Sequence, residues 1–241
     1  MVRIITISSG KGGVGKTTVA ANLGAALHLL NKSVAVIDCN LTTSHLGLSI
    51  GLHNPGKTLN HFLRKEATLD DVIYTHHSGL RFIPASLELS DLNNIETEHM
   101  KGELKAIFDY YDFLILDSAP GIGREALIAL RACDEVIFVT NPYVPSIVDV
   151  MKTKTLARQL GFRSKGVVVN RVRNKKYELK KSEIMQSLEL PVLVSIPEDE
   201  AILKCSNARL IPVLTYPRAK ASRAFIELAH VVAGLPCRRR F

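Results

Sequence analysis

The chain has 241 residues, 46% hydrophobic and 22% charged, a balance that excludes a disordered tail protein or a membrane-embedded bundle and suits a folded α/β protein. Its length suits one large domain with a sizeable core and is short for two. A formal net charge of +8 favours a polyanionic partner, nucleic acid or an anionic lipid surface.

Apolar runs rich in β-branched residues alternate with amphipathic stretches along the chain. The first strand, Arg3 to Ser8, starts without the layout of a cleavable export signal, and the expected location is the cytoplasm. A helix is predicted over Lys16 to Leu30 and a strand over Ser33 to Asp38. Val72 to His76 and Leu80 to Pro84 flank His77-Ser78-Gly79 closely enough for a hairpin with one antiparallel edge strand. Helices over Glu98 to Asp109, Gly123 to Ala132, Pro145 to Leu160, Glu178 to Ser187 and Arg218 to Ala233 then alternate with strands. Those strands are Phe113 to Asp117, Glu135 to Thr140, Gly166 to Asn170 and Val192 to Ile196. Continuous rather than alternating hydrophobicity marks strands covered on both faces. The fold class that follows is three-layer α/β, a mostly parallel twisted sheet of about seven to eight strands with helices on both faces. Residues 1–234 read as one domain and 235–241 as a short basic tail. Ala224 to Leu235 is the nearest candidate for a spanning helix, and Glu227 and His230 interrupt it, so none is expected.

Two further features narrow the class. Cys39, Cys133, Cys205 and Cys237 are scattered without a C-x-x-C pair, which argues against a zinc ribbon, a cluster scaffold or a disulfide framework. Arg163, Lys165, Arg171, Arg173, Lys175, Lys176, Lys180 and Lys181 lie close together with Glu178 as the one acid among them. That run is either a footprint for a polyanion or a solvated basic face on a helix and its flanking loop.

The chemistry concentrates at Gly10-Lys11-Gly12-Gly13-Val14-Gly15-Lys16-Thr17-Thr18, which fits G-x-x-x-x-G-K-[ST] between a predicted strand and a predicted helix. Glycines at 10, 12, 13 and 15 let backbone N–H groups turn toward phosphate oxygens, and the helix dipole adds favourable potential there. Lys16 is expected on the β- and γ-phosphates and the Thr17 hydroxyl on Mg²⁺. Asp38 and Asp117 each end an apolar strand, where open α/β sheets face their ligand crevice. Asp117 is the candidate holder of a magnesium-bound water; alone, either aspartate could merely cap a turn, but Asp38 and Asp117 together with Thr17 and the loop form a candidate magnesium nucleotide site.

Lys11 to Thr18 resembles the deviant Walker A motif of the MinD/ParA ATPases, a group that also includes nitrogenase iron protein, and further matches extend over nearly the whole chain. Asp117-Ser118-Ala119-Pro120-Gly121 is similar to the family's second switch and Thr140-Asn141-Pro142 to its following strand end. Asn170-Arg171 is similar to its adenine-side motif, and Ile196-Pro197-Glu198-Asp199 to the loop that closes over the base. The nearest likeness is to MinD-like septum-site proteins, through Leu46-Gly47-Leu48 and Ser222-Arg223-Ala224-Phe225. The resemblance implies a Mg²⁺-dependent ATPase that acts on no metabolite beyond ATP. It also implies an ATP-bound homodimer in which the extra lysine, Lys11, reaches the partner's phosphates, with Asp149 holding that lysine in the unpaired chain.

Most relatives carry D-x-D after the second strand, whereas this chain has Asp38-Cys39-Asn40. An amide keeps one acceptor oxygen and loses the negative charge, so it cannot take a proton but can still orient water. Asn40 is expected either to slow hydrolysis, at the limit leaving a nearly non-hydrolysing ATP-bound clamp, or to leave water orientation to Asp38 or to a residue from Thr42 to Ser44. The resemblance further implies a protein regulator and attachment to a surface, the inner face of the membrane or nonspecific DNA. The tail Gly234-Leu235-Pro236-Cys237-Arg238-Arg239-Arg240-Phe241 offers arginines and a phenylalanine to lipid, yet Pro236 breaks the helix, and a frayed tail is the alternative.

Overall fold

Side-chain alternation along the central strands decides the architecture. In β1 (Arg3–Ser8), Ile4 packs into one apolar cluster, while Ile5 and Ile7 pack into a second on the other face. Strand β2 (Val34–Cys39) divides the same way, Ala35 and Ile37 against Val34 and Val36. Such strands are hydrophobic at every position because both faces are covered. The computed structural model describes residues 1–52, 55–88 and 100–236.

Helix α1 (Lys16–Leu29) lies over one face, its Val19, Leu23 and Leu27 fully buried between sheet and the final helix. Three one-turn helices follow β2: α2 (Leu46–Ser49), α3 (Leu59–Leu63) and α4 (Leu69–Val72). Strands β3 (Tyr74–Thr75) and β4 (Arg81–Ile83) pair antiparallel, as the hairpin spacing predicts. Then come α5 (Met100–Ile107), β5 (Phe113–Ser118), α6 (Arg124–Ala132), β6 (Glu135–Thr140) and α7 (Val144–Gln159). The chain continues through β7 (Arg163–Val172), α8 (Lys181–Leu188), β8 (Val192–Pro197), α9 (Glu200–Ala208), α10 (Pro212–Thr215) and α11 (Lys220–Ala233). Part of the expected helix over Glu98 to Asp109 and residues 237–241 of the tail lie outside the described residues.

All eight strands join one sheet in the order β3-β4-β2-β5-β1-β6-β7-β8, parallel throughout except β3. Strand β1 leads to β2 on one side of the sheet and its neighbour β6 leads to β7 on the other, so the crevice at the C-terminal ends of β1 and β6 is the ligand position of such folds.

One expectation is corrected here. The basic run is not the face of one helix and loop, because β7 threads through it with residues 166–170 buried. Arg163 and Lys165 stand at the start of that strand, where Lys165 pairs with Glu135, Arg171 stands near its end, and Arg173 to Lys181 follow it. From Lys165 to Arg171 is six residue steps, with five residues between, or about 20 Å of strand.

Candidate nucleotide site

The loop after β1 is clamped by neighbouring strand ends. Ser9 accepts from Gly121 N at 2.9 Å through its carbonyl, and its hydroxyl donates to Lys11 O at 2.7 Å. Asn170, at the C-terminal end of β7, donates from Nδ2 to Val14 O at 2.8 Å, and its own carbonyl accepts from Asn141 Nδ2 at 3.1 Å. Two loop glycines are required by geometry. A Cβ at Gly10 would lie 2.1 Å from the Asp149 carbonyl carbon of α7, and Gly15 has φ +98° with its Cβ position 2.3 Å from Asn170 Nδ2. The first turn of α1 carries no acidic side chain and Gly15 offers no capping side chain, so its N–H groups and dipole keep their appetite for an anion.

Lys16 is buried within this cradle at 8% exposure. Burial pulls its pKa down, against the opposing charge of Asp117. Asp38 and Asp117 face each other in register across β2 and β5, both fully or nearly fully buried. Burial pushes Asp117 up to about 8, the Asp38 charge adds to that, and the Thr17 hydroxyl and Lys16 oppose it. Its Oδ1 is buried without a hydrogen-bond partner. An orphaned carboxylate oxygen beside a threonine hydroxyl fits Mg²⁺, which takes one or two protein oxygens and fills its shell with water and phosphate. Thr17 and Asp117 could hold that ion. Asp38 is already engaged: Oδ1 accepts from Asn40 N at 3.0 Å, and Oδ2 from Ser44 Oγ at 2.8 Å and Leu46 N at 3.1 Å.

The other expected residues divide. Lys11 is exposed and makes no ion pair among the described residues, and although α7 touches Gly10 at Asp149, no Lys11–Asp149 pair forms. The Asn40 amide is tied to Thr43 rather than left open to the crevice. Arg171 is exposed at φ +58°, where the β7–β8 register shifts. Glu198 is held by Arg173 through two hydrogen bonds, the one from Nη2 being 2.8 Å. Asp199 caps α9 by accepting Ala201 N at 3.0 Å, and also accepts Ala221 N of α11 at 3.1 Å. Pro197, Glu198 and Asp199 lead to an open groove of about 1020 Å³ whose far wall is Tyr216, Arg218, Lys220 and Arg223. That far wall was not evident in the sequence; Pro217 after an aromatic residue was its one local sign of a turn. Cys39, Cys133 and Cys205 are buried, free and on separate elements.

A strand–loop–helix phosphate cradle at the end of β1, in a parallel sheet with paired aspartates on the neighbouring strands, defines a P-loop nucleoside triphosphatase fold. A family model described as an AAA domain matches residues 2–156, and one described as the NUBPL iron-transfer P-loop NTPase matches residues 98–233. An uncharacterised ATP-binding protein of Methanocaldococcus jannaschii is 39% identical over 234 residues, 97% of this chain and 89% of that protein. The septum site-determining protein MinD of Thermotoga maritima is 31% identical over 245 residues, 97% of this chain and 89% of its own. The structure of MinD complexed with Mg-ADP from Pyrococcus horikoshii matches with a TM-score of 0.91 at 31% identity over 96% of each chain. The chain belongs to the MinD/ParA family of P-loop ATPases. Among its described residues no helix is long and apolar enough to cross a membrane.

Proposed function

We propose that this chain is an ATP-driven positioning switch: it binds ATP with Mg²⁺ on the loop of residues 10–18, closes on a second copy, hydrolyses slowly, and attaches to a surface that marks the division site. The contrast between the two loop lysines carries this reading. Lys16 is buried beside Asp117, placed to neutralise phosphates in its own crevice. Lys11 is exposed at the loop's start without an ion pair among the described residues, so its charge is available to a neighbour's triphosphate. Bound Mg²⁺ supplies charge neutralisation on the β- and γ-phosphates. Thr17 and Asp117 hold it, Asn170 and Arg171 border the base on one side, and Pro197, Glu198 and Asp199 border it on the other. The relatives named as septum site-determining MinD support division-site placement; the inner face of the membrane, a protein regulator and residues 1–234 as one ATPase domain are parts of the same proposal.

Sedimentation with ADP and with ATP, each with Mg²⁺, tests the switch. The chain should pair with ATP alone, while Lys11→Ala should bind nucleotide and stay monomeric. A chain that remains monomeric with ATP overturns the reading. A second reading, nonspecific DNA as the surface, is favoured by one observation: Arg171, Lys175, Lys176, Lys180 and Lys181 are exposed beyond the nucleotide edge, with Tyr177 at 67% exposure among them.

A further inference from the structure

The Asn40 side chain bonds in both directions with the third residue after it. Nδ2 donates to Thr43 O at 2.6 Å, and Thr43 Oγ1 donates to Asn40 Oδ1 at 3.1 Å. Asn40 is only 8% exposed, so water competes weakly for either bond. An aspartate could keep the bond from Thr43 Oγ1 but would set a carboxylate oxygen against the Thr43 carbonyl.

The donors to Asp38 flank this pair, one from Asn40 itself and two from residues just after Thr43. Asn40 N reaches Oδ1, and Ser44 Oγ and Leu46 N reach Oδ2. Asp38 is completely buried and stands opposite Asp117, the carboxylate with an orphaned oxygen. A buried carboxylate that loses its donors is strongly disfavoured, so the position of Asp38 follows the closure of the loop.

The structure assigns Asn40 the role of a latch: it is a positioning residue that holds residues 40–46 over Asp38 and governs how far that carboxylate can turn toward a nucleotide. Its amide does not itself direct the attacking water. The effect on turnover rests on the switch proposed above, whereas the latch belongs to the nucleotide-free chain.

Two measurements on the full chain separate these. Hydrogen exchange of the nucleotide-free protein over residues 40–46 is compared in the native sequence, Asn40→Asp, Thr43→Val, the double variant and Thr43→Ser. Exchange should quicken about tenfold in Asn40→Asp and clearly in Thr43→Val, the size expected for loss of one shielded hydrogen bond. The double variant should exchange no faster than Asn40→Asp, and Thr43→Ser, which restores the hydroxyl, should match the native chain. In single-turnover hydrolysis both variants should change the rate in the same direction, with nucleotide affinity within about twofold of native. Native exchange in Asn40→Asp overturns the latch. So does a changed turnover in Asn40→Asp alone, which would mark an amide that acts on water directly. Should no variant or native chain hydrolyse or pair with ATP, the switch fails while the exchange data still decide the latch.

Discussion

Asp38 and Asp117 are two carboxylates packed opposite each other where one of them lacks a donor for an oxygen. Burial raises the pKa of both, and for Asp117 the value reaches about 8. An unfolded chain releases that proton near the ordinary aspartate value of about 3.9, so between there and pH 8 the folded state holds more protons than the unfolded one. Stability of the nucleotide-free chain from this group therefore falls as pH rises through that window. Thermal unfolding from about pH 5 to about pH 8 should show Asp117→Asn gaining on the native chain as pH increases; a constant difference would contradict the shift. At this scale the sequence revealed the loop lysines and both aspartates, because strand ends and a glycine spacing place them. It did not reveal what Asn40 bonds to, since that depends on the backbone path of residues 40–43. Asp199, proposed to border the base, also holds two helices with its carboxylate; an aspartate one residue before Glu200 is a start signal that α9 could have been read from.

Elements were legible where their pattern was long. Buried strands such as Phe113 to Asp117 and Glu135 to Thr140 declare themselves by unbroken β-branched runs, and α1 by its length. The one-turn helices α2, α3, α4 and α10 were missed because four or five residues do not complete two turns of apolar periodicity. Strand β7 proved longer than Gly166 to Asn170 because its ends are charged and exposed while still hydrogen-bonded. Helix α8 starts three residues later than Glu178, whose carboxylate instead accepts from Arg173 N at 3.0 Å and Lys175 N at 3.3 Å. The same strand end ties the phosphate loop down. Asn170→Ala removes the 2.8 Å bond to Val14 O and should cost about 1–3 kcal/mol in denaturant unfolding, leaving a shielded carbonyl unpaired. It should also weaken nucleotide binding; a variant as stable and as tight as the native chain would show the clamp to be dispensable.

Over the whole molecule the basic run around β7 divides between the two ends of the parallel strands. Arg163 and Lys165 belong to the strand ends opposite the nucleotide crevice, with Lys165 neutralised by Glu135, while Lys175 and Lys176 lie beyond the crevice end, exposed. A surface engaged by the ATP-bound pair should feel the second group. Charge reversal by Lys175→Glu with Lys176→Glu should weaken binding to duplex DNA or to anionic vesicles and lower the salt slope by about two, whereas Arg163→Glu should leave both unchanged. Equal effects of the two changes would place attachment elsewhere. Which polyanion responds also decides between the two readings of the attachment surface.

The single carboxylate of Asp199 grips the first turns of both α9 and α11. Those helices therefore share a pivot at the rim of the groove, and α11 runs from it for about 21 Å at the usual rise per residue. A small tilt imposed at the pivot is magnified along such a rod, so its distant C-terminal end would sweep farthest when the rim is pushed.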